Sequence, residues 1–284
     1  MTFNLPEDGR TIAAQRAVHA ESRPERAIAI DLKRSILGVL LAIMVTTAMD
    51  AGGLSDFSAL PLCPLLFLFW YLSRLSWRNM GFVSAGLRYY GLAILYPVVV
   101  LGAVCFVSVA ASAIDVSQAN WGKASRDVVL IAASTILVAI LTEEGFFRGW
   151  LFASLDRAGE TPTGTLIWSS VAFALWHLSA VSLHTGFDLP VAQIPIFIAN
   201  AAVIGAIWGL LRLMSGSVIV SSVSHGLWNG AAYVLFGYGT KIGVLGVKNT
   251  AIYGPEVGFL GLGLNICFAA LLWRWCSVRR REVA

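Results

Sequence analysis

From Val128 to Ala153 the chain runs almost unbroken through apolar residues, yet the middle of the run reads Ile140-Leu141-Thr142-Glu143-Glu144-Gly145-Phe146-Phe147-Arg148-Gly149. Two adjacent carboxylates and a guanidinium fall where the neighbours call for hydrocarbon. A charge near the bilayer centre costs at least ~2.5–3.5 kcal/mol on insertion scales, so such groups face a bundle interior and serve function. On a helix, Glu144 and Arg148 are four apart and pair. Glu143 points about 100° away and lacks that partner. One carboxylate is therefore left for chemistry.

The remainder of the chain supplies the setting. Of 284 residues, 57% are hydrophobic and only 13% charged, against about 25% charged in a soluble domain. The apolar runs are long and continuous rather than the ~10-residue alternating segments of a membrane barrel. The expected class is an all-α polytopic membrane protein of about eight spans, near 35–53, 58–75, 90–113, 128–153, 164–183, 191–212, 217–238 and 256–276, the fourth running longer and tilted. Residues 1–34 read as a cytosolic polar tail, with an interfacial helix over Ala13–Ala20. Residues 35–278 form the transmembrane domain, and 279–284 a basic cytosolic tail. Arg74, Arg78, Arg157, Arg212 and Arg274 fall on the side of both tails. The positive-inside rule then places both termini in the cytoplasm, in the inner membrane if the chain is bacterial.

The net charge of +4 is read as span-flanking charge, and no nucleic-acid partner is expected because no binding motif accompanies it. Cys63, Cys105, Cys267 and Cys276 make no CxxC pair, so neither a zinc knuckle nor a disulfide framework is indicated. Gly205-x-x-x-Gly209 and Gly226-x-x-x-Gly230 are spacings that let helices approach closely.

A few strongly polar side chains share the membrane with Glu143. His177 ends Phe173-Ala174-Leu175-Trp176-His177 in the fifth run, and His225 opens His225-Gly226-Leu227-Trp228-Asn229 in the seventh. The i,i+4 spacing puts His225 and Asn229 on one helical face, and Phe173 beside His177 as packing. In a medium without water each polar group needs a partner, and convergence on one wet cavity satisfies them together. There Glu143 would draw a proton from water as general base and His177 would hold that water in line. His225 and Asn229 would donate to the developing oxyanion. Glu144 and Arg148 would act structurally. No cofactor is required by this set. Two histidines and a glutamate also match a catalytic zinc shell, with Glu143, His177 and His225 as ligands. The two alternatives stand open at this point.

At these residues the chain resembles the CPBP family of intramembrane proteases, which includes CAAX prenyl endopeptidases of the Ras-converting type and bacterial Abi proteins. The family's motifs Glu-Glu-x-x-x-Arg, Phe-x-x-x-His and His-x-x-x-Asn stand in order as Glu143–Arg148, Phe173–His177 and His225–Asn229. The resemblance covers about 125–240. It implies an eight-helix fold with an intramembrane catalytic cavity, Glu143 as the base, His177 beside the water, and His225 with Asn229 at the oxyanion. It also implies a membrane-associated peptide or protein substrate, lipidated or CAAX-like in some members. Two rival readings are a proton-coupled transporter, which would carry internal repeats and matched broken helices, and a non-catalytic membrane scaffold of the same fold.

Overall fold

A computed structural model describes residues 25–283, which are helical except for short connections and one two-residue hairpin. Helix α1 spans Glu25–Ala51, α2 Leu62–Ser73, α3 Leu87–Ala110 and α4 Trp121–Ala139. A π-helical segment, Glu144–Leu151, leads into α5, Phe152–Arg157. Then come α6 Pro162–Trp176, α7 Leu178–Ser182, α8 Ile194–Ser215 and α9 Val218–Ala231. A second π segment, Ala232–Phe236, precedes the hairpin β1 Gly237–Tyr238 and β2 Lys241–Ile242. The chain ends in α10 Thr250–Tyr253 and α11 Phe259–Val283.

Local chemistry explains the main boundaries. The Asn120 side chain accepts from Lys123 N at the start of α4, and Thr161 from Gly164 N at the start of α6, where Pro162 occupies the first turn. Both leave fewer backbone donors unpaired at a helix N-terminus. Gly216, at φ +71°, stops α8, and Ser217 caps α9 directly after it. Only glycine adopts that left-handed conformation without strain.

Six helical stretches among the described residues are long and apolar enough to cross a membrane: Ser55–Ser73, Leu87–Ala110, Trp121–Arg157, Pro162–Ser182, Val191–Ser215 and Phe259–Val278. This is an integral membrane architecture, and these six coincide with six of the eight expected spans. The expected fourth span is the long one, Trp121–Arg157, at 37 residues. The other two expected spans, 35–53 and 217–238, fall on helices α1 and α9 but are not among the six. The sequence of α9 is diluted by its serines, His225 and Asn229, which are the groups that make it useful.

Among the described residues, helix α1 already covers residues 25–34, ahead of its apolar run. An ion pair holds this part: Arg157 Nη2 and Nε reach the Asp31 carboxylate at 2.7 and 2.9 Å, and Arg157 Nη1 donates to Ser73 O at 2.6 Å. The polar prefix at residues 25–34 is thus part of a fastened helix. The expected interfacial helix Ala13–Ala20 lies outside the described residues. At the other end α11 continues through Val283, across most of the expected 279–284 tail.

Helix α9 is the hub and packs on α4, α3 and α8. The two glycine spacings explain how. A Cβ on Gly226 would strike Ile136 Cγ1 and lie 2.6 Å from Ala132 O, and one on Gly230 would lie 2.7 Å from Val128 O. Helices α9 and α4 therefore meet nearly backbone to backbone. Gly226→Ala is expected to push them apart and cost about 1–3 kcal/mol, the usual range for overpacking. A lowered unfolding midpoint in detergent checks this, and an unchanged midpoint refutes it.

Candidate active site

The motif glutamates stand where helical winding changes. Helix α4 ends at Ala139, and the next regular turns, from Glu144, are π-helical. Such an expanded turn is rare and recurs at functional sites. Gly145 permits it, because a Cβ there would collide with Ile140 O and sit 2.9 Å from Leu66 Cδ2. The turn delivers Glu143 to a cavity and Glu144 to the interior behind it.

Glu144 and Arg148 are fully buried and paired, Oε1 to Nη1, at 3.3 Å. The guanidinium lies over the Phe173 ring, 4.0 Å from its centroid, and 5.4 Å from that of Trp208. Its Nη2 donates to Gly205 O at 3.1 Å. Phe173, expected only to pack, is thus also the face on which the buried cation rests. Gly205 lacks a side chain where Arg148 Nη2 would be only 3.0 Å from a Cβ.

His177 sits at a break. Helix α6 ends at Trp176, His177 is its C-cap, and α7 starts at Leu178. The sequence placed it inside a continuous run; the backbone instead tightens there, His177 N donating to Ala174 O. Its ring Nδ1 lies 2.9 Å from Phe173 O. A carbonyl only accepts, so Nδ1 carries the hydrogen and Nε2 presents its lone pair to the cavity. Nε2 is 3.9 Å from Glu143 Oε2.

His225 Nδ1 lies 3.1 Å from Glu144 Oε1, and its Nε2 is also 3.9 Å from Glu143 Oε2. The ring is stacked on Trp208, centroids 4.0 Å apart and 17° from parallel. Neither Trp208 nor the Glu144–His225 bond was legible in the sequence. Trp208 lies three residues past Gly205, on the face toward the site, and reads as one more apolar residue of a span.

Glu143, Phe173, His177, Trp208 and His225 line one cavity of about 190 Å³, together with Asn229, Trp176, Thr46 and Ser58. Every candidate catalytic residue of the sequence, Glu143, His177, His225 and Asn229, is in its wall. The Asn229 side chain makes no hydrogen bond within the described residues, which leaves its amide open to the cavity it lines. Thr46 and Ser58 come from the first 120 residues, where no motif pointed to the site. They are joined by the Thr46 hydroxyl donating to Ser58 O at 3.1 Å, while Trp176 Nε1 donates to Thr46 Oγ1 at 2.7 Å.

Glu143 Oε2 and the two Nε2 atoms could be considered as zinc ligands. Zinc at about 2.0–2.2 Å from each ligand would draw neighbouring ligand atoms to about 3.4 Å in a tetrahedral shell. Both Glu143–histidine separations are 3.9 Å. Among the described residues no group of three or more His, Cys, Asp or Glu side chains is placed to hold a metal ion.

Residues 125–231 match the family model described as type II CAAX prenyl endopeptidase Rce1-like. The matched segment runs from within α4 to the end of α9 and contains all three motifs, in agreement with the resemblance that the motifs carry. No curated protein matches the chain.

Proposed function

We propose that this chain, Rce1-like across the segment that holds its three motifs, is an intramembrane endopeptidase in which Glu143 activates water. The family match supports a CAAX-type intramembrane protease in general and a membrane-associated protein or peptide as its substrate. The observation that carries the mechanism is the position of Glu143 Oε2, 3.9 Å from both histidine Nε2 atoms across a cavity that Asn229 also lines. A water in that gap donates one hydrogen to Glu143 and the other to the His177 lone pair. Its own lone pair is then free to attack a peptide carbonyl carbon.

As the carbon–oxygen bond forms, the carbonyl oxygen becomes negative. Asn229 Nδ2 and His225 Nε2 donate to it. For His225 this requires a second ring proton, because Nδ1–H is already committed to Glu144. Glu143 then passes its proton to the leaving amine as the carbon–nitrogen bond breaks. The substrate reading extends to lipidated or CAAX-like proteins, and the setting to a bacterial inner membrane with both termini cytoplasmic.

Asn229→Ala is expected to lower kcat by about 10²–10³-fold, as loss of one oxyanion donor does elsewhere, with KM little changed. A rise in KM at constant kcat would instead assign Asn229 to substrate binding. Cleavage is expected to continue undiminished after 1,10-phenanthroline and exchange into metal-free buffer, and loss restored by added zinc would overturn the metal-free route. Mass spectrometry of membrane peptides, comparing cells with the native protein and with Glu143→Ala, tests the function itself. Products that require Glu143 support it, and identical peptide profiles refute it.

A further inference from the structure

Glu256 is absent from the three motifs and lies outside the matched segment, yet it forms part of the wall of the same cavity. It follows Pro255 in the turn between α10 and α11, three residues before the span Phe259–Val278. Its Oε1 accepts from Trp228 Nε1 at 2.8 Å. Trp228 adjoins Asn229 in the chain and lies three residues past His225, on the same side of α9. Its indole is stacked on Tyr96, 6° from parallel.

The backbone around Glu256 is held as firmly. Asn200 Nδ2 lies 2.8 Å from Pro255 O and 3.0 Å from Glu256 O. Asn265 Nδ2 donates to Asn200 Oδ1 at 2.9 Å, and Tyr96 OH donates to Asn265 Oδ1 at 2.8 Å. Asn200 and Asn265 are fully buried. Four elements thus cooperate to fix one carboxylate at the cavity.

That carboxylate has no lysine or arginine partner, and of the charged groups around it only the His225 ring, in the same cavity wall, acts on it. Among the described residues no Lys or Arg lies within ion-pair distance of it, and Oε2 makes no hydrogen bond. No Lys or Arg lines the cavity. Glu256 and Phe187 also line a second, smaller cavity of about 80 Å³ beneath the β1–β2 hairpin, so Glu256 stands at the wall the two share. Lys241 is on the far side of that second cavity, its amine bound to the Tyr238 hydroxyl. Burial pushes the Glu256 carboxyl up to about 7 against the opposing hydrogen bond from Trp228. Around it are Trp228, Tyr233 and Phe187, aromatic faces that favour a cation.

We propose that Glu256 is the specificity-determining residue of the cavity, receiving a lysine or arginine side chain of the substrate next to the peptide bond that is cut. This rests on the endopeptidase reading. An acidic side chain or a free carboxy-terminus at the same place meets like charge and is disfavoured. The substrate class is therefore a membrane-associated peptide with a basic residue close to its cleavage site.

The test uses the full-length protein in nanodiscs and palmitoylated octapeptides of alanine and leucine, in which one position in turn carries Lys, Gln or Glu. Cleavage is followed by mass spectrometry. Binding is followed separately on Glu143→Gln protein by anisotropy of the labelled peptides. At one scanned position the Lys peptide is expected to exceed the Gln peptide about tenfold in kcat/KM and in affinity. Glu256→Gln, which keeps an acceptor for Trp228, brings that ratio to near one, and Glu256→Lys turns it toward the Glu peptide. Equal Lys and Gln peptides at every position, or an undiminished ratio in Glu256→Gln, overturns the proposal. If that variant does not fold, the charge scan on the native protein decides alone. Lys-selective binding with no cleavage sinks the endopeptidase reading and leaves Glu256 standing, whereas cleavage without charge preference does the reverse.

Discussion

Glu143→Gln protein is expected to lose roughly 10²–10⁴-fold in kcat/KM, the contribution of a positioned general base, while still binding peptide. The glutamine keeps the shape of the side chain and removes its capacity to take a proton. The effect should be large because Glu143 is the carboxylate placed 3.9 Å from both histidine Nε2 atoms. His177 Nδ1 is tied to Phe173 O and its ring is anchored there, and His225 Nδ1 is tied to Glu144. Glu144 itself is fully buried behind the site and engaged with both Arg148 and His225. Adding His177→Ala to Glu143→Gln should cost little more than either change alone, because groups that act on one water act as a unit. Single-turnover rates on a cleaved membrane peptide provide the measurement. Native-like turnover in Glu143→Gln would remove Glu143 from the chemistry.

The second large effect concerns stability. Arg148→Ala is expected to destabilise the fold by about 3–5 kcal/mol, as does breaking a buried ion pair from one side. The substitution leaves the Glu144 carboxylate, at zero exposure, with its His225 contact but without the guanidinium, and empties the space over Phe173. It also removes the donor to Gly205 O, which ties the π turn to α8. Arg148→Lys should recover only part of this, since an ammonium keeps the charge but loses the planar fork and the stacking. Denaturant or thermal unfolding in detergent reads both variants. If Arg148→Ala unfolds like the native protein, the pair is not what holds the turn.

The motif residues could be found in the sequence because each is a polar group set in a hydrocarbon run, where it cannot be idle. Glu143, His177, His225 and Asn229 share one cavity wall for that reason. What the sequence concealed are features whose signal depends on three dimensions. The i,i+4 relation of Glu144 to Arg148 fits either an α or a π turn, so the expanded winding left no trace in spacing. Trp208 looks like any other span residue until His225 is stacked on it. Asn200 and Asn265 each interrupt an apolar run, and that interruption is the signal that the sequence does carry for them. Glu256 follows Pro255 at the start of a run and reads as a helix flank. Asp31 and Arg157 are 126 residues apart, so no local pattern announces that they fasten α1 to the end of α5.

The string of amides from Tyr96 through Asn265 and Asn200 to the carbonyls at 255 and 256 has a further consequence for how the molecule can be divided. Cutting the chain after residue 231, where the family match stops, would take away α11 and with it the clasp that closes one side of the chamber. Asn200 would then be left with two amide hydrogens and no oxygen to meet them. The matched stretch is accordingly not expected to stand as a severable unit, because the C-terminal region beyond it closes that side of the cavity.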